Sequence, residues 1–104
     1  MDTKIIRSIE SGRQLGIRDK TVIDGKVLWI SIAIQKYGNS YKTYTAEIYE
    51  DDVASEKYQR EEIRRFSNIN DALQYLKDYA RTDSSLLASC KGQKIFNPAF
   101  DSCD

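Results

Sequence analysis

One stretch constrains this chain more than any other, Leu28 to Glu50. It reads Leu-Trp-Ile-Ser-Ile-Ala-Ile-Gln-Lys-Tyr, then Gly-Asn-Ser, then Tyr-Lys-Thr-Tyr-Thr-Ala-Glu-Ile-Tyr-Glu. Both flanks are rich in β-branched and aromatic residues, which suit a pleated, half-buried surface. The Gly-Asn pair between them is a turn signal, so the stretch reads as an antiparallel hairpin.

Strand side chains alternate with period two, so Leu28, Ile30, Ile32 and Ile34 share one face. Two registers are open. A two-residue loop, Gly38-Asn39, pairs Tyr37 with Ser40 and sets Ile34, Ile32 and Ile30 opposite Thr43, Thr45 and Glu47. A three-residue loop, Gly38 to Ser40, pairs Tyr37 with Tyr41 and sets the same isoleucines opposite Tyr44, Ala46 and Ile48. A slip of one residue turns a whole strand over, so burial favours the second register, and that is the expectation. The loop chemistry pulls the other way, because a three-residue loop prefers a late glycine and Gly38 comes first. The expected register gathers Trp29, Tyr37, Tyr41 and Tyr49 on the other face.

The rest of the chain supplies partners for this hairpin. Ile5, Ile6 and Ile9 mark a short helix over about 3–11, with Gly12 as its stop. Asp24-Gly25 between Thr21-Val22-Ile23 and Lys26-Val27-Leu28 predicts a second hairpin with a type I′ turn, pairing Val22 with Val27. Residues 59 to 66 read as a short, charged edge strand, a form that protects a sheet from unwanted pairing. A helix over about 53–65 is the alternative, on propensity. Asn68 is a good N-cap, and Ile69, Ala72, Leu73, Leu76, Tyr79 and Ala80 follow at helical spacing. The expected fold is α+β: a single domain over 1–104, with a four-stranded antiparallel meander, a helix at about 69–81 on one face, and a short N-terminal helix. After Thr82 the chain reads as an irregular tail with anchors at Ile95, Phe96 and Phe100.

Composition removes several chemistries. There is no histidine, so the commonest general base and metal ligand is missing, and a Ser-His or Cys-His nucleophile is impossible. Two cysteines, Cys90 and Cys103, do not make a zinc site without histidine. No Gly-rich phosphate loop occurs. Gly92-Gln93-Lys94-Ile95-Phe96 followed by Asp101-Ser102-Cys103-Asp104 resembles a c-type haem attachment site, but Phe100 stands where the first cysteine belongs and Asp104 where the histidine belongs. The expectation is therefore a protein that is not an enzyme and has no cofactor or metal. No apolar run approaches the ~20 residues of a membrane span, and the N-terminus lacks the layout of a signal peptide. A cytoplasmic protein with free thiols is expected. Lysine plus arginine equal aspartate plus glutamate at 16 each. Residues 1–46 nonetheless hold eight basic and four acidic side chains, against eight and twelve in the remainder.

Two functions of different classes fit these residues. In the first, the chain is a protein-interaction or regulatory module, with Trp29, Tyr37, Tyr41 and Tyr49 as its surface, since interfaces favour Trp and Tyr. In the second, the same face binds single-stranded nucleic acid. Its aromatics would stack bases, and Lys20, Lys26, Lys36 and Lys42 would meet phosphates. Four strands followed by a helix, over roughly 20–80, is similar in topology to Whirly-type and transcriptional-coactivator single-strand binders. That similarity implies the second function but carries no motif. The bland alternative is that cross-strand aromatic pairs simply stabilise the hairpins. Three covers for the face are available: the tail, a second copy of the chain, or a foreign protein. A homodimer is expected first, because symmetric dimers are the commonest oligomers.

Overall fold

A computed structural model of the chain describes residues 3–79, 88–89 and 95–96. It is an α+β fold built on an antiparallel meander. Helix α1 (Thr3–Glu10) buries Ile5 and Ile9, four residues apart on one face. It ends where expected. Gly12 takes φ +95°, its N–H bonds the Ile9 carbonyl at 3.0 Å, and the Arg13 N–H bonds the Ser8 carbonyl at 3.3 Å. This pair of bonds satisfies the last free carbonyls of the helix, and the left-handed residue it needs favours glycine.

Strands β1 (Leu15–Ile23) and β2 (Lys26–Tyr37) pair as the Asp24-Gly25 signal predicts, with Val22 opposite Val27 and Thr21 opposite Leu28. Both turn residues have positive φ, 50° and 78°, as a type I′ turn requires.

The central hairpin does not adopt the expected register. Strand β3 (Ser40–Tyr49) pairs Tyr37 with Ser40, so Ile34 faces Thr43, Ile32 faces Thr45 and Ile30 faces Glu47. The loop is two residues long, and only Gly38 of the two has positive φ, at 62°. Glycine first is the type II′ signature, so turn chemistry decided the register. Burial did not oppose it, because part of the second face is covered too. The expectation weighed only the match of the isoleucines with apolar partners across the strand. In the structure Tyr44, Ala46 and Ile48 find apolar neighbours there, while Thr43, Thr45 and Glu47 are buried beneath the helices.

Strand β4 (Arg60–Phe66) forms an edge beside β3, so the helical alternative for 53–65 does not hold. A 3₁₀ turn, Glu50–Asp52, leads into the connection before it. Helix α2 (Ile69–Tyr79) starts on Asn68, whose Oδ1 accepts the Asn70 N–H at 2.7 Å. It packs Ala72, Leu73 and Leu76 with Ile5, Ile9 and Leu15 onto the Leu28/Ile30/Ile32/Ile34 face. A two-residue strand, β5 (Ala88–Ser89), pairs with Leu15 and Gly16, which the irregular-tail expectation missed. The sheet order is β4-β3-β2-β1-β5. The expectations for Ala80 and Arg81, for Cys90 and Cys103, and for the haem-like residues other than Ile95 and Phe96 lie outside the described residues. Among the described residues no helix is long and apolar enough to cross a membrane.

Candidate functional site

The face away from the helices is built from rows of residues that pair across the strands. One row is Lys20, Trp29 and Ile48. The next is Arg18, Ser31, Ala46 and Glu61. A third is Gly16, Ala33, Tyr44 and Ile63. This third row is covered by the chain's own residues. Phe96 is buried against Ala33 and Ile63, and its ring stacks on Tyr44 with centroids 5.5 Å apart.

Gln14 holds that cover in place. Its buried Oε1 accepts the Ile95 N–H at 2.7 Å and the Phe96 N–H at 3.3 Å. Its Nε2 donates to the Phe96 carbonyl at 2.8 Å and to Gln35 Oε1 at 2.9 Å. Every polar atom of the amide is engaged, which is what a buried glutamine needs.

Among the described residues, no such cover lies over the first two rows. Over them lies a cavity of about 360 Å³, walled by Ile95 on one side and by Val53 and Tyr58 of the β3–β4 connection on the other. Its floor is Ser31, Ala46, Ile48 and Trp29, with Tyr44 at the covered end and Arg18 on the β1 side. The Lys20 ammonium sits 5.5 Å from the Trp29 ring centroid, a cation–π contact. Burial raises the Tyr44 phenol well above its ordinary pKa, and its hydrogen bond to Glu61, 2.7 Å, raises it further. Tyr44 is therefore a neutral donor at any physiological pH.

The structure divides the expected binding residues. Trp29 is in the floor of the cavity. Tyr37 and Lys42 share its face but lie at the far end of the hairpin, where the Lys42 ammonium approaches the Tyr37 ring at 4.9 Å. Tyr41 and Tyr49 are on the opposite face, packed against the main core, because the two-residue loop turned β3 over. The Tyr41 hydroxyl donates to Glu10 of α1. Lys26 goes with Tyr49, its ammonium 5.8 Å from that ring. The residues missed are Tyr44, Ala46 and Ile48, which the correct register would have supplied, and Arg18, Val53 and Tyr58, for which no periodic signal existed.

The opposite face carries a polar cluster beneath α2. The Arg60 guanidinium donates to Tyr75 Oη at 2.9 Å and lies 3.7 Å from Glu47; the Tyr75 hydroxyl donates to Glu62 at 2.9 Å. The Tyr75 hydrogen bond holds the Glu62 carboxyl below its ordinary pKa, with Arg60 and Arg64 adding to this. The cluster joins α2 to the sheet. Among the described residues no group of three or more Cys, Asp or Glu side chains comes together as a metal site.

Compared with protein-family models, curated proteins and solved structures, the chain shows no match.

Proposed function

We propose that this protein is a non-catalytic, cytoplasmic recognition module that receives a segment of another protein in the groove beside Trp29. One observation carries the reading. Of the rings expected to stack bases, Trp29 has Lys20 over it, Tyr37 has Lys42, and Tyr41 and Tyr49 lie on the core face; Tyr44, which joins this face instead, stacks on Phe96. A base-stacking platform needs free ring faces. What stands open instead is an apolar hollow between Ile48, Val53 and Tyr58, the shape that takes an inserted side chain.

A peptide-display selection tests this, run on the wild type and on Ile48→Asp, with folding of both checked by circular dichroism. The expected result is a recurring sequence selected by the wild type and lost by the folded variant. Selection of nothing would overturn the reading. So would tight, steeply salt-dependent binding of a single-stranded oligonucleotide, which would instead favour the nucleic-acid alternative. If the chain sediments as a dimer in which Trp29 is shielded, the segment belongs to a second copy.

A further inference from the structure

Resting on that reading, we infer that the segment is acidic: it places one large apolar side chain over Ala46 and Ile48 and sets carboxylates against Arg18 and Lys20. The argument is the polarity of the groove. The two open rows run across the strands, and each begins on β1 with a cation, Lys20 in one and Arg18 in the other. Each continues through Trp29 or Ser31 on β2 to an apolar residue on β3. The two side chains that line the far wall, Val53 and Tyr58, are uncharged, and the acids of that connection, Glu50, Asp51, Asp52 and Glu56, are not among the lining residues. The one carboxylate in these rows, Glu61, is at the β4 end and is engaged by the Tyr44 hydroxyl. Arg18 and Lys20 are exposed, and neither forms an ion pair with a described residue.

Spacing narrows the ligand further. Neighbouring strands lie about 4.8 Å apart, so the cations on β1 are about 10 Å from the hollow over β3. That distance separates an apolar side chain from a carboxylate one to three residues along an extended chain. Arg18 and Lys20 are two residues apart on one strand, about 7 Å, which matches alternate residues of an extended partner. A basic segment would meet two uncompensated cations at the same place, so the groove discriminates by repulsion as well as attraction.

The test uses the full chain and two synthetic ten-residue peptides, each with one central Phe, flanked in one by Glu and in the other by Lys. Binding is read by calorimetry and by emission of Trp29, the only tryptophan. The Glu peptide is expected to bind at least tenfold tighter, and to weaken as salt is raised. In an Arg18→Glu/Lys20→Glu variant the preference is expected to reverse. In Arg18→Gln/Lys20→Gln, which keeps the side-chain bulk without new charge, it should vanish. Equal affinity of the wild type for both peptides would sink the acidic inference and leave the recognition reading standing. Binding of neither, alongside a positive display selection, would sink only the inference. Binding of neither with a blank selection would sink both. Equally tight binding of a single-stranded oligonucleotide, abolished by charge reversal but not by Ile48→Asp, would show a general polyanion site and overturn the peptide.

Discussion

Tyr44 shows how one residue ties the covered and open parts of the second face together. Its ring lies under Phe96, its hydroxyl donates to Glu61, and its edge borders the groove. Burial is the larger cause of its raised pKa, and the Glu61 carboxylate is the second. In the unfolded chain a tyrosine ionises near 10. The folded pKa is higher, so the stability linked to this group is fully present below pH 10. It is lost as pH rises from there toward the folded value. Tyr44→Phe removes the titration. Denaturant unfolding between pH 8 and pH 11 should therefore show a shallower alkaline loss for Tyr44→Phe than for the wild type; equal slopes would mean the phenol is not protected. At this scale the sequence was a partial guide. Trp29 was legible as a face residue because aromatic residues in a strand stand out. Tyr44 was placed on the wrong face by a register error, and Gln14, in a connection, gave no sign of burial.

Strand β3 is the element whose placement decides which residues share the second face. Its two faces are nearly balanced, with Tyr41, Thr43, Thr45, Glu47 and Tyr49 on one and Lys42, Tyr44, Ala46 and Ile48 on the other. Hydrophobic pattern cannot choose between such faces, so a two-residue type II′ turn did. The signal was present in the order Gly38-Asn39, and it was outweighed by the preference for apolar partners opposite Ile30, Ile32 and Ile34. The elements with a single apolar stripe, α1 and α2, and the Asp24-Gly25 hairpin were readable because pattern and turn chemistry agreed there. The chosen register has a cost. Thr43 Oγ1 and Thr45 Oγ1 are buried with no hydrogen-bond partner among the described residues. An unsatisfied buried hydroxyl costs about 1–3 kcal/mol. Replacing it with a methyl group removes that penalty while keeping the shape, so Thr45→Val is expected to raise the unfolding free energy by about 1 kcal/mol. Urea unfolding checks this, and a loss of stability would show that the hydroxyl has a partner, such as an ordered water. The polar neighbours are better served: Arg60, Glu62 and Arg64 alternate along β4 and meet Glu47, Thr45 and Thr43 across the ladder.

On the scale of the whole molecule, the meander was legible because each strand follows its neighbour in sequence. The closure of the second face was not. It depends on Gln14 reaching residues 81 and 82 positions away. No local pattern records such a pairing. Gln14→Ala should leave the Ile95 and Phe96 amides without their acceptor and cost about 1–3 kcal/mol. Hydrogen exchange should show the Ile95 amide accelerating more than the β2 amides, whose rates rise only with the overall loss of stability; unchanged protection at Ile95 would mean that the Phe96 stack alone fixes the segment. The same long reach sets an order of events during synthesis. A chain made from its N-terminus at about 5–20 residues per second brings the four meander strands and α2 out of the ribosome ahead of Ile95 and Phe96. For that interval Ala33, Tyr44 and Ile63 lie bare on a finished sheet. The nascent protein therefore shows the cell a wider apolar face than the folded one does, open to chaperones and to premature partners alike until the Ile95–Phe96 segment has docked.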